Sequence, residues 1–207
     1  MAQITSGLRS ILSLPILYNL LQNLLGGKKS RQEFINKYMQ VNPNNRLLDI
    51  GCGTAEILDC LPDNLTYVGF DASNDYIKMA KEKYQDRNAQ FFAKLVTDSN
   101  LGDFEPFDIV IATGILHHLE DDEVIHLFSL AKKFLKPDGR IITIDPCYLE
   151  NQRTLARFII SRDRGQNVRT SNQYQELAEN IFPNVRLSVR NDLLRIPYDH
   201  AILECKI

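Results

Sequence analysis

The chain of 207 residues predicts an α/β protein: a Rossmann-like sheet of seven strands, mostly parallel, with helices on both faces. Three observations predict it. Apolar runs alternate with helix-like segments from about residue 46 to about residue 145, the pattern of parallel strands covered on both sides. The run LLDI at 47–50 ends in Gly51-Cys52-Gly53, a buried strand feeding a glycine turn. A second run, TYVGF, ends at Asp71, which puts an acid at the tip of the second strand.

The elements follow in chain order. Leu8 to Leu25 is leucine-rich, but Pro15, Asn19, Gln22 and Asn23 interrupt it. It is too polar for a membrane span and lacks the clean apolar run and small-residue cleavage site of a signal peptide. Residues 1–29 therefore read as an N-terminal helical cap over a cofactor or acceptor pocket, with a membrane-surface contact as the alternative. Gly26-Gly27 before Lys28-Lys29-Ser30 predicts a flexible joint. Arg31 to Gln40 predicts a helix, stopped by Asn42-Pro43-Asn44-Asn45. Strands are expected near 46–50, 65–70, 90–94, 107–112 and 139–145, and helices near 54–60, 74–84, 122–135 and 171–181. Leu135 to Tyr148 reads as a helix end, a turn and the fifth strand. Val185 to Arg190 and His200 to Ile207 are strand-like and bring the count to seven.

The stretch from Pro146 to Thr170 is too long for a simple connection. It holds an expected helix at Asn151 to Ser161 and the sequence SRDRGQNVRT. A long segment beyond the carboxyl end of a sheet strand is where ligand-covering elements sit. The domain thus runs over 30–207, with 146–170 as its lid.

Composition narrows the class. A net charge of −2 gives no bulk attraction to nucleic acid. Cys52, Cys60, Cys147 and Cys205 form no CxxC pair, so neither a zinc site nor a disulfide framework is indicated. Free thiols suit a reducing cytoplasm, the expected location.

The glycine turn lets backbone approach a ligand closely at Gly51 and Gly53, with Cys52 between them. Asp71 can accept hydrogen bonds from both hydroxyls of a ribose; Ala72 and Ser73 follow at the adenine edge. A dinucleotide would fit this much. The sixth position of the motif, however, is Glu56 rather than glycine, and a carboxylate at a helix N-terminus opposes a pyrophosphate. With Asp49 just before the turn, it suits the sulfonium and amino group of S-adenosylmethionine better.

The ordered series LLDIGCGTA, YVGFDAS, FDIVIATGILHHL and LKPDGRIITID resembles the class I S-adenosylmethionine-dependent methyltransferases of the small-molecule type, over roughly residues 30–207. The resemblance implies that the last two strands form a hairpin with the final strand antiparallel. It also implies an acid after the third strand for the adenine amino group. The slot holds Leu95 or Val96, so the contact falls to Asp98 or to backbone near Lys94 to Val96. Thr113 and Gly114 end the fourth strand facing the cofactor. Thr113 stands where metal-dependent relatives of the catechol type carry an acid, so no metal is expected. Asp145-Pro146-Cys147-Tyr148 resembles a base-methylation motif but follows the fifth strand, the wrong place for one.

His117 and His118 lie at the mouth of the pocket. An imidazole there can take a proton from an attacking hydroxyl, or can simply hold backbone. Five arginines, Arg153, Arg157, Arg162, Arg164 and Arg169, crowd the lid. They suggest an anionic acceptor, with Tyr148, Arg162 and Arg164 as its expected contacts; solvated faces and local pairs such as Arg162 with Asp163 are the plainer alternative. The function expected is methyl transfer to a small or carrier-linked acceptor, anionic or lipid-like, with oxygen favoured as the atom methylated. A non-catalytic S-adenosylmethionine-binding regulatory or assembly protein and a nicotinamide oxidoreductase are the competing classes.

Overall fold

The computed structural model describes residues 26–163 and 165–207. Seven strands form one sheet: β1 (Arg46–Ile50), β2 (Thr66–Asp71), β3 (Ala89–Ala93), β4 (Phe107–Thr113), β5 (Leu135–Pro146), β6 (Asn184–Arg190) and β7 (His200–Lys206). Their order is β3-β2-β1-β4-β5-β7-β6. Strands β1 to β5 pair parallel, and β7 inserts antiparallel between β5 and β6. The antiparallel final strand is as expected.

The central strands β1, β2 and β4 are apolar on both sides because both sides are covered. Leu48, Val68, Val110 and Ile141 point to one core, closed by Val124 and Phe128 of α4 (Asp121–Phe134) and by Tyr174 and Ala178 of α6 (Ser171–Glu179). Their neighbours Leu47, Tyr67, Ile109 and Ile142 point to the other core. There Phe34 of α1 (Gly27–Phe34), Tyr38 and Met39 of the π turn Ile35–Met39, and Ile77 of α2 (Asn74–Lys83) pack against them. A one-residue slip in any strand would exchange the two sets.

Several local expectations are corrected. Gly26 and Gly27 are not a free joint: Gly26 adopts the left-handed conformation at the helix start (φ 97°), and Gly27 is the buried first residue of α1. The proposed boundary at residue 29 therefore falls inside a helix, while residues 1–25 of the expected cap lie outside the described residues. The segment near 54–60 is a 3₁₀ helix, Glu56–Cys60, rather than an α-helix. Residues 136–139 are not a free turn but bulge within β5, opposite Asp108 alone. A short helix, α3 (Asp98–Leu101), stands where only a loop was read. In the lid, α5 (Thr154–Ile160) is shorter than expected. No helix among the described residues is long and apolar enough to cross a membrane.

Candidate cofactor and acceptor site

The sheet order reverses between β1 and β4, the crevice where open α/β sheets bind ligands at their carboxyl edge. Gly51 and Gly53 leave β1 on one side of it; Thr113 and Gly114 end β4 on the other.

The turn after β1 is built from positive φ angles at alternate residues: Gly51 (78°), Gly53 (54°) and Ala55 (56°). The N–H groups of Gly51 and Cys52 both donate to the Phe70 carbonyl, at 2.7 and 3.0 Å, which binds the turn to the end of β2. A side chain on Gly51 would collide with Ile115 Cδ1, whereas one on Gly53 would meet nothing within 4 Å. Gly51 is thus needed for packing, and Gly53 presents bare backbone to open space.

Asp71 completes the turn. Its Oδ2 accepts the Gly53 N–H at 2.9 Å and its Oδ1 accepts the Ser73 N–H at 2.8 Å. Each oxygen retains capacity for a further hydrogen bond. Asp71 is not a helix cap. Ser73 has that role for α2, accepting the Tyr76 N–H.

Asp49 is buried beneath the turn. Its Oδ2 accepts the Tyr67 hydroxyl at 2.6 Å, and its Oδ1 has no hydrogen-bond partner among the described residues. Burial pushes its carboxyl up to about 7, against the hydrogen bond from Tyr67, with the charge of Asp71 adding to the rise. An orphaned buried acceptor of this kind calls for a cation or donor. Burial likewise raises the Cys52 thiol, which argues against a thiolate there.

Two acids singled out in the sequence are paired with cations. Asp98, in the first turn of α3, is exposed and pairs with Lys133 at 2.7 Å. Glu56 does not stand as a bare charge at the turn, because Arg31 of α1 pairs with it at 2.8 Å. That removes part of its opposition to a pyrophosphate.

The two histidines lie in the 3₁₀ turn Leu116–His118, buried, with ring centroids 4.1 Å apart. His117 is held at both ring nitrogens: Nδ1 lies 2.8 Å from Asp145 Oδ1 and Nε2 lies 3.2 Å from Asp163 Oδ1. Burial alone would depress the imidazole, but the hydrogen bonds to the two carboxylates outweigh it and raise it to about 9. His117 is therefore an imidazolium at neutral pH and has no lone pair to offer a substrate proton. Asp163 is correspondingly held well below the usual carboxylate range. It also accepts the Gly165 N–H and the Tyr198 hydroxyl, so it is a partner of His117 and not of Arg162.

The lid arginines divide. Arg169 is buried. Its guanidinium donates to the carbonyls of Leu116 and Leu119 at 3.0 and 2.8 Å and to Asp121. Beside it, the Asn167 N–H donates to the His117 carbonyl. Arg153, Arg157 and Arg162 are exposed, and Arg157 and Arg162 lie over the rings of Tyr148 and Phe158. Tyr148 forms a bridge with Thr170 inside the lid. Arg164 lies outside the described residues. Asp145, Asp163 and Tyr198 were not foreseen. Only Asp145, an acid ending an apolar strand, carried a visible signal. No cluster of His, Cys, Asp and Glu able to hold a metal occurs among the described residues.

Comparisons with known proteins bear on the family and the fold. Residues 48–141 match a family described as a methyltransferase domain. The cyclopropane-fatty-acyl-phospholipid synthase of Escherichia coli (strain K12) is 26% identical over 119 residues, 56% of this chain and 30% of that protein. A phosphoethanolamine N-methyltransferase of Triticum aestivum is 24% identical over 172 residues, 81% of this chain and 33% of that protein. The chain thus spans about a third of the length of these curated relatives. A crystal structure of the plantazolicin methyltransferase BpumL, in complex with a triazolic desmethylPZN analog and SAH, superposes with a TM-score of 0.68 at 15% identity. That match covers 96% of this chain and 90% of the other and concerns the fold.

Proposed function

Because residues 48–141 carry a methyltransferase domain on a class I S-adenosylmethionine-dependent methyltransferase fold, we propose that the chain transfers a methyl group from S-adenosylmethionine to a small, carrier-linked or lipid-like acceptor. The observation that carries the reading is the pair of acids around the glycine turn. Asp71 has acceptor capacity left for two ribose hydroxyls, and Asp49 Oδ1 waits beneath the turn for a cationic or donor group. Gly51, Cys52 and Gly53 supply the backbone floor, Ala72 and Ser73 the adenine edge, and Thr113 with Gly114 the opposite wall. With Asp98 turned to Lys133, the adenine contact passes to backbone beside Leu95, whose side chain is exposed.

The cofactor supplies an electrophilic methyl carbon on a sulfonium, so the protein's tasks are orientation, exclusion of water and proton management. Arg169 and His117 fasten the lid beside β4. Oxygen is the proposed nucleophile. With His117 held as an imidazolium, the base role falls to His118. Free cysteines are in keeping with a cytoplasmic location.

Calorimetry tests the reading directly. S-adenosylhomocysteine should bind one site per chain and NAD should not. Tighter binding of NAD would return the oxidoreductase reading. Binding of S-adenosylhomocysteine with no turnover on any small, carrier-linked or lipid acceptor would favour a regulatory protein. Magnesium or a chelator should leave turnover unchanged.

A further inference from the structure

We infer that the outer face of α5 docks on an anionic lipid surface. The helix is apolar on opposite sides. Ala156 and Ile160, four residues apart, face inward and are buried. Phe158 stands about 200° around the helix from Ala156, and Leu155 lies on the same outward side. These two side chains are 55% and 58% exposed, among the largest apolar exposures on the described surface. A helix with apolar side chains on opposite sides calls for cover on both, and here only the inward side receives it.

Across the helix and its immediate flanks the charge is of one sign. From Arg153 to Arg162 the sequence RTLARFIISR holds three arginines and no acid. All three are exposed. The Arg162 guanidinium lies 5.0 Å from the Phe158 ring centroid and that of Arg157 5.1 Å from the Tyr148 ring centroid. The flanking acids are Glu150, exposed three residues before Arg153, and Asp163, which is engaged by His117 and Tyr198. Aromatic and aliphatic tips ringed by cations are what an interfacial helix presents to anionic headgroups. Each basic residue near such a surface multiplies partition by about fivefold. A protein partner fits less well. Two half-exposed side chains of this size offer on the order of 200 Å², against the roughly 800 Å² per partner that a specific protein interface buries.

The surface belongs to the lid, which the fold sets beside the carboxyl edge of the sheet. A bilayer bound there would lie next to the acceptor mouth. The docking does not depend on the methyl-transfer reading.

The test is co-sedimentation of the full chain with vesicles of phosphatidylglycerol and phosphatidylcholine, compared with phosphatidylcholine alone. We expect partition onto the anionic vesicles only, weakened by salt. The exposed double substitution Leu155→Ser/Phe158→Ser should lower it at least tenfold, as should Arg157→Glu/Arg162→Glu. The first variant should retain its thermal melt and its S-adenosylhomocysteine affinity, which separates failure of docking from failure of the cofactor site. No binding to either vesicle would overturn the inference. So would equal binding by the variants, which would assign the contact to another part of the chain. Self-association of the wild type abolished by Phe158→Ser would assign the face to a second copy instead.

Discussion

His117 Nε2 lies 3.2 Å from Asp163 Oδ1, and through this contact the imidazole links the lid to the sheet, because its Nδ1 bonds Asp145 at the end of β5. The three residues come from the turn after β4, from β5 and from the segment after α5. Gly165 is packed so closely on the His117 ring that a side chain there would collide with it. The lid is therefore fastened by a charge-assisted pair in a buried setting, where such bonds are strong and their loss is costly.

The pair has a pH signature. The His117 imidazole is raised from 6.5 to about 9 on folding. Its contribution to stability is fully present below pH 6.5 and is lost as pH rises through 9. The difference corresponds to roughly 3 kcal/mol at most. Urea denaturation of wild type minus His117→Gln should show that gap shrinking between pH 6.5 and 10. A gap that stayed constant with pH would mean the imidazole is neutral in the fold.

How much of this was legible follows from what each residue touches. The strands lie within a few residues of expectation because a doubly covered strand writes a continuous apolar run, as Leu47 and Leu48 do for the two cores. The turn at 51–53 and the acid at 71 were also legible, since backbone that must take positive φ or approach a ligand selects glycine. The lid was not. Arg153, Arg157 and Arg162 resemble Arg169 in sequence, but only Arg169 finds two buried carbonyls and a carboxylate, around fifty residues away. No local spacing records such partners. The same holds for Asp163, whose charge is consumed by a histidine 46 positions earlier in the chain. The start of α1 was missed for a different reason: Gly26-Gly27 signals flexibility by composition, yet one glycine is a left-handed cap and the other is buried.

Asp49 should make cofactor affinity depend on pH. Its carboxyl is raised from 3.8 to about 7, chiefly by burial. A cationic ligand favours the ionised form, so binding below pH 7 must release a proton. Affinity for S-adenosylmethionine should rise with pH up to about 7, by at most about tenfold per unit, and then level off. Asp49→Asn should flatten the profile. The same group disfavours folding as pH rises from about 4 to 7, because the unliganded fold holds its proton more tightly than the unfolded chain. A pH-independent affinity in the wild type would place the cation away from Asp49.

Asp71→Ala should act on both binding and the loop. Losing the charged hydrogen bonds to ribose should weaken S-adenosylhomocysteine by about 1.5–3 kcal/mol per bond. The Gly53 and Ser73 N–H groups lose their acceptor as well, so stability should fall by about 1–2 kcal/mol. Asp71→Asn, which retains one acceptor oxygen, should recover part of the stability and little of the affinity. Unchanged calorimetric affinity in folded Asp71→Ala would move the ribose elsewhere.

His118 is the remaining candidate for proton transfer, since both nitrogens of its neighbour are taken by carboxylates. With a verified hydroxyl acceptor, His118→Ala should lose about 10²- to 10⁴-fold in kcat with unchanged cofactor Kd. His117→Gln should act through the lid and raise the acceptor KM instead. If His118→Ala turns over at the full rate, the reaction proceeds by positioning alone, and an acceptor nucleophile needing no base becomes the better assignment.

Gly51→Ala separates packing from ligand contact. Gly51 has a φ of 78°, where a side chain costs about 1–3 kcal/mol, and its new Cβ would collide with Ile115 Cδ1. Gly53→Ala shares the backbone cost at φ 54° but meets no neighbour. Gly51→Ala should therefore be the less stable of the two by about 1 kcal/mol or more, the usual scale of overpacking. Adding Ile115→Ala relieves the clash, so the pair should melt higher than the sum of the single changes predicts. Cofactor affinity should follow a different order. Gly53 presents its backbone to open space, and its new methyl would stand where a ligand must approach. Gly53→Ala should thus lose more S-adenosylhomocysteine affinity than its loss of stability suggests. Equal affinity for wild type and Gly53→Ala would show that the ligand does not lie on this turn.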